Sequence, residues 1–118
     1  MSFGEILKEL AVSVNGALGA LVVGMDGITV EEYAASGDHD LQTVAVEYGA
    51  VLKEVEQVSD SLQLGLAKEF SVTTETCAII IRKINEEYFL VLMLAPGANV
   101  GKGRFKARMS ANKLVAEF

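Results

Sequence analysis

Proline is almost absent from this chain, cysteine and histidine occur once each, and no apolar run is long. With one proline in a sequence that is 51% hydrophobic, a disordered chain is excluded. A single cysteine, Cys77, rules out an internal disulfide and fits a reduced compartment. The longest apolar run, Tyr88 to Ala95, falls far short of the roughly 20 residues that span a bilayer. At the N-terminus, Glu5, Lys8 and Glu9 interrupt what a targeting segment would need to keep apolar. Positive charge is also scarce. The formal net charge of −6 argues against nucleic acid as a general partner, because phosphate binding needs clustered cations. These shortages together predict a cytoplasmic protein with no membrane insertion.

What remains is one domain's length of chain, 118 residues, enough to bury a hydrophobic core without staples. Ser2 and Glu5 form a capping box ahead of Phe3, Ile6, Leu7, Leu10, Ala11 and Val14, whose spacing predicts a helix over 3–14. Asn15-Gly16 ends it. Residues 17–24 read as a buried strand, Asp26-Gly27 as a tight turn, and 28–33 as a more exposed strand pairing back. Asp38 or Asp40 caps a long helix reaching about Leu62, with a main apolar stripe of Leu41, Val44, Ala45, Tyr48, Val51, Leu52, Val55 and Leu62. A meander follows over 64–73, 76–84 and 88–95, its last two strands nearly continuous in apolar residues and so central. Pro96-Gly97 breaks the sheet, and Asn99 caps a last helix to about Ala116. The order α-β-β-α-β-β-β-α is not a simple alternation. It predicts an α+β fold in which a five-stranded antiparallel sheet carries helices on both faces.

Chemistry-bearing groups are few. His39 stands between Asp38 and Asp40, but adjacent residues rarely aim at one site and there is no second histidine, so the trio reads as a polar helix start. Cys77 lies in an apolar strand, where a thiolate is disfavoured. Gly97 to Gly103 (GANVGKG) imitates a phosphate-binding loop. It has three residues before Gly-Lys where the pattern requires four, and a glycine where the metal-holding hydroxyl belongs. No cofactor is expected. Charge is uneven: from Asn99 onward the chain carries +4 and the rest −10. That basic tail is either a solvated face complementing the acidic body or a docking surface for an acidic partner or a membrane. On the far side of the long helix, Val46, Gly49 and Ala50 cluster with Gln42, Lys53 and Gln57. A mid-helix glycine costs about 1 kcal/mol relative to alanine, so it has a packing reason, either inside the protomer or at a protein–protein contact.

Three segments carry a family resemblance over nearly the whole chain: GALGALVVGMDGITVEEY (16–33), LQTVAVEYGAVLKEV (41–55) and LVLMLAPGANVGKGRFKAR (90–108). The chain resembles the roadblock/dynein light chain family, whose fold is profilin-like, and within it the bacterial MglB-like proteins. The resemblance implies a single roadblock domain over 1–118 and a homodimer in which the long helices pack antiparallel and the third strands pair. The equivalents here are 40–62 and 64–73, with Leu41, Ala45, Leu52, Val55, Leu66 and Phe70 at the seam. It also implies a small Ras-like GTPase as partner, with hydrolysis promoted by ordering that partner's switch regions and not by an inserted arginine. Val46, Gly49, Ala50 and Lys53 match the family's partner-facing surface. The departure is Glu47, Lys53, Glu54 and Glu56, which make this helix more charged than its alanine-rich relatives. The resemblance implies no active site of the protein's own. The alternative is a non-catalytic dimeric scaffold subunit of a motor or signalling complex.

Overall fold

A computed structural model describes all 118 residues. Helix α1 (Phe3–Ser13) is followed by strands β1 (Ala17–Gly24) and β2 (Thr29–Ala34), helix α2 (Leu41–Ser61), strands β3 (Glu69–Thr73), β4 (Ala78–Lys83) and β5 (Tyr88–Leu94), and helix α3 (Val100–Val115). The strands form one antiparallel sheet in the order β2-β1-β5-β4-β3. This is the α+β architecture expected from the order of elements.

The connectivity explains the long helix. The β1–β2 hairpin and the β3–β4–β5 meander place β2 and β3 on opposite edges of the sheet. The chain leaves β2 at one edge and must enter β3 at the other, so α2 crosses the whole face between them. Its 21 residues span about 30 Å, comfortably more than the roughly 20 Å width of five strands. Asp40 starts α2, its carboxylate accepting from the Thr43 N–H at 3.1 Å. Asp38 is occupied elsewhere, accepting from the Ser36 hydroxyl.

The inner strands β1, β5 and β4 bury both their faces. On one side Ala20, Val22, Ile80, Leu90, Leu92 and Leu94 pack beneath α1 and α3 with Ile6, Leu7, Leu10 and Leu114. On the other, Leu21, Val23, Ile79, Ile81, Phe89, Val91 and Met93 pack beneath α2 with Leu41, Ala45 and Leu52. That alternation produces the near-continuous apolar runs of the sequence.

The expected strand over 64–73 is shorter than its sequence pattern. Pairing with β4 begins only at Glu69. Ahead of it, Gln63 and Gly65 adopt positive φ values of 57° and 88°, turning the chain out of the ladder and leaving Leu64 and Leu66 73% and 88% exposed.

Candidate functional site

Helix α2 carries three different lengthwise strips, at about 100° per residue. The strip facing the sheet is Leu41, Ala45, Gly49 and Leu52, all buried. One flank carries Val44, Tyr48, Val51, Val55, Val58 and Leu62, spaced alternately four and three residues apart. Of these, Val44, Tyr48 and Val55 are half-buried, whereas Val51, Val58 and Leu62 are exposed by 42%, 57% and 62%. The other flank carries Val46, Ala50 and Lys53, all exposed.

Two expectations need correction. Leu41, Ala45 and Leu52 are not open to a second chain: they fill the protomer's own core under α2. Gly49 does not face away from the core either. A Cβ there would come within 2.7 Å of Cζ of Phe89, a ring that is itself 1% exposed. Glycine is present because helix and ring approach so closely, which is the packing reason inside the protomer.

The first flank faces the β3 side. The register pairs Phe70 with Ile81 and Val72 with Ile79, so both β3 side chains lie on the α2 face of the sheet, half-buried. Phe70, Val44 and Tyr48 pack against the same buried cluster. β3 is also an outermost strand, with one row of backbone groups unpaired within the sheet. An apolar helix flank, an apolar strand face and an open edge therefore adjoin. Of the residues assigned to a dimer seam, Val55, Leu66 and Phe70 remain at the surface. Val58, exposed, and Val72, half-buried, lie at the surface as well. The alternating four-and-three spacing places Val58 on the same flank as Val51 and Val55.

The second flank borders the β1–β2 turn. Val46, Gly49, Ala50 and Lys53 line one cleft of about 170 Å³ with Gly24, Met25, Asp26, Gly27 and Phe89. The turn is rigidly held: the Asp26 carboxylate accepts from the Ile28 N–H at 3.0 Å, and Gly24 donates to the Ile28 carbonyl at 2.8 Å. The four residues singled out in sequence thus meet at one place, with small side chains at its floor and Lys53 and Asp26 of opposite charge among its walls. A larger groove of about 330 Å³ lies elsewhere, between Leu66–Lys68, the β4–β5 turn and the end of α3. Its Lys83 donates to Glu56 across it.

The remaining polar groups form no reactive constellation. His39 is exposed ahead of α2, and no three His, Cys, Asp or Glu side chains are arranged to hold a metal ion. Cys77 is buried, with its sulfur 3.4 Å from the Thr74 hydroxyl. In the loop that imitates a phosphate binder, Gly103 lies against the sheet. A Cβ there would meet Ile80 and Leu94 at 2.9 Å, so close packing of α3 accounts for that glycine. No helix is long and apolar enough to cross a membrane.

No family model and no curated protein matches the chain. Solved structures do. The crystal structure of MglC from Myxococcus xanthus is 37% identical, covers 100% of both chains and superposes with a TM-score of 0.72. A roadblock/LC7 domain from Streptomyces avermitilis is 10% identical over 99% of this chain and 98% of its own, with a TM-score of 0.87. A structure described as MglB with tetrameric arrangement is 21% identical over 95% of this chain and 84% of its own, with a TM-score of 0.85.

Proposed function

Because this chain belongs to the roadblock family, standing with MglC and resembling MglB, we propose that it works in the cytoplasm as a dimeric binding module that regulates a small Ras-like GTPase. Self-association uses the first flank of α2 and the edge of β3. Pairing two β3 edges about a two-fold axis continues the sheet and removes its exposed edge, and the same contact buries Val51, Val55 and Val58 against a second copy. The tetrameric arrangement of the similar MglB supports self-association as a habit of this fold.

The observation that carries the regulatory reading is the cleft between the second flank of α2 and the β1–β2 turn. Val46 and Ala50 are small, so a partner's loop can approach the helix closely. Lys53 offers a cation at the rim, and the hydrogen-bonded turn presents a fixed wall. Phosphoryl transfer is governed by positioning and electrostatics, so a surface that holds the partner's own switch groups in place lowers the barrier without contributing a reactive residue. The module has no active site of its own in this reading.

Replacing Ala50 with arginine tests it. The side chain points outward, so circular dichroism and sedimentation should match the unaltered protein. Binding to the GTP-loaded GTPase of the same cell should fall by several kcal/mol, because an unpaired charge is then desolvated at the interface. A folded dimer that binds normally would move the site off this flank. A dimeric scaffold without effect on turnover is the second reading, favoured by Glu47, Glu54, Glu56 and Asp60, which make α2 acidic for a switch-region contact. Binding without any change in the GTP hydrolysis rate would select it.

A further inference from the structure

Helix α3 lies on the opposite face of the sheet from α2 and has an outward side that the protomer does not use. Gly103, Ala107, Ser110, Ala111 and Leu114 turn inward. Phe105 and Met109, one helical turn apart, turn outward and are 50% and 44% exposed. Cations flank this pair on both sides: Arg104 and Arg108 on one, Lys102, Lys106 and Lys113 on the other. Only two of the five are neutralised. Arg104 meets Glu69 at 3.0 Å and Lys113 meets Glu9 at 2.6 Å, whereas Lys102, Lys106 and Arg108 have no carboxylate partner. A basic tail that served only to complement the acidic body would not leave three of its five cations unpaired around exposed apolar side chains.

The surface also has shape. Phe105 forms a ridge, steadied by the Arg108 guanidinium 5.6 Å from its ring centroid. A groove of about 260 Å³ on one side is lined by Glu69, Arg82, Arg104 and Arg108. A groove of about 180 Å³ on the other lies between α1 and α3, with Leu10, Met109, Lys106 and the Lys113–Glu9 pair in its walls. A bilayer presents a flat surface, which a ridge standing between two grooves does not match. A ridge between two cation-rimmed grooves instead complements a helix with apolar side chains at i, i+4 spacing flanked by carboxylates.

We propose that the outward face of α3 docks an acidic amphipathic helical segment of a partner protein, at a surface separate from the α2 cleft. The probe is a fluorescently labelled synthetic helical peptide with leucines at i, i+4 spacing between rows of glutamate. Its control replaces every glutamate with lysine. Fluorescence anisotropy should show the glutamate peptide binding the intact protein at low ionic strength, with affinity falling as salt is added. Affinity should drop at least tenfold in Phe105→Ala and in the Lys106→Glu/Arg108→Glu double variant, and stay unchanged in Ala50→Arg. Phe105, Arg108 and Ala50 are exposed and Lys106 is half-buried, so circular dichroism verifies the folding of each variant. No binding by the glutamate peptide would overturn the proposal, as would equal binding by the lysine peptide or by the double variant. Binding instead to vesicles of phosphatidylserine and phosphatidylcholine, lost in the same variants, would also overturn it in favour of a membrane surface.

Discussion

Two helices cover one face of the sheet, and a single helix covers the other. The strands themselves are nearly indifferent to this, since β1, β4 and β5 are apolar on both sides. A helix is about 10 Å across, whereas strands of five to eight residues are about 16–26 Å long, so α2, lying across them, leaves part of its face open. On the α1/α3 side the core is closed over, and the exposed apolar residues sit outside it, on the outward side of α3 and along α1. On the α2 side the opening runs into the core's own margin, where Val44, Tyr48 and Phe70 are buried on one side and open on the other. Incomplete cover is thus what leaves the surface proposed for association, and the single-helix crossover from β2 to β3 is what makes the cover incomplete.

The contrast between the inward strip and the flanks of α2 can be broken most severely from beneath. Phe89 is 1% exposed and fills the space that Gly49 leaves open. Phe89→Ala should cost about 3–5 kcal/mol of unfolding free energy, read from urea midpoints at unchanged slope, because it removes a large buried side chain under the only helix on that face. A loss below about 1 kcal/mol would mean that α2 resettles into the cavity, and that the face is far less tightly packed than the glycine contact implies.

A smaller effect on folding, with a large one on assembly, is expected from the flank. Val51 is 42% exposed, so Val51→Glu should change the protomer's own stability by no more than about 0.5 kcal/mol. In sedimentation at micromolar concentration, the unaltered protein should run at twice the chain mass and the variant at the chain mass. A variant that remains dimeric would place the seam off this flank. A variant that unfolds would show that Val51 belongs to the core after all.

Much of this contrast could be read from the residues, and the parts that could not have physical reasons. Element types and order follow from period and turn chemistry: the Ser2–Glu5 box, Asp26-Gly27 and the Asn99 cap are local signals that the fold obeys. The division of α2 into strips was harder. Gly49 lies at the border between the buried strip and the second flank, and only the position of Phe89, 40 residues away and delivered by a different strand, decides which side it serves. The same holds for Leu41, Ala45 and Leu52. Their period shows an apolar stripe, but whether a stripe meets its own sheet or a second chain depends on where the crossover lays the helix. Leu64 and Leu66 alternate as a strand would, but the positive φ at Gln63 and Gly65 is a backbone choice that the apolar pattern does not record. Val46, Ala50 and Lys53 were legible as a cluster, whereas their neighbours Met25 and Asp26 come from a hairpin brought alongside only in three dimensions.

The smallest effect concerns how each face holds the start of its helix. Asp40 caps α2, its carboxylate accepting from the Thr43 hydroxyl at 2.7 Å and from the Thr43 N–H at 3.1 Å. The Thr43 side chain, and then its backbone N–H, hold the Asp40 carboxyl below the ordinary aspartate value. The sign follows by linkage. A carboxyl whose folded pKa lies below its unfolded value adds stability that is complete above the unfolded value, near pH 4, and is lost as pH falls through the folded one. On the other face, the Ser2 N–H and hydroxyl similarly lower Glu5 at the start of α1, so acid weakens a cap on both faces, although the Ser2 oxygen still accepts from the Glu5 N–H. The consequences differ, because α1 shares its face with α3 whereas α2 has no second helix beside its first turn. Asp40→Asn keeps an acceptor for the Thr43 N–H but cannot titrate. Urea midpoints between about pH 5 and about pH 2 should therefore fall less steeply in Asp40→Asn than in the unaltered protein. Glu5→Gln should flatten the profile too. Amide hydrogen exchange at Thr43–Ala45 in the unaltered protein should quicken in acid more than at the start of α1, once corrected for the intrinsic pH dependence of exchange. Identical slopes for Asp40→Asn and the unaltered chain would show that the cap contributes nothing that pH can remove, and equal acceleration at both helix starts would show that one helix on a face is held as firmly as two.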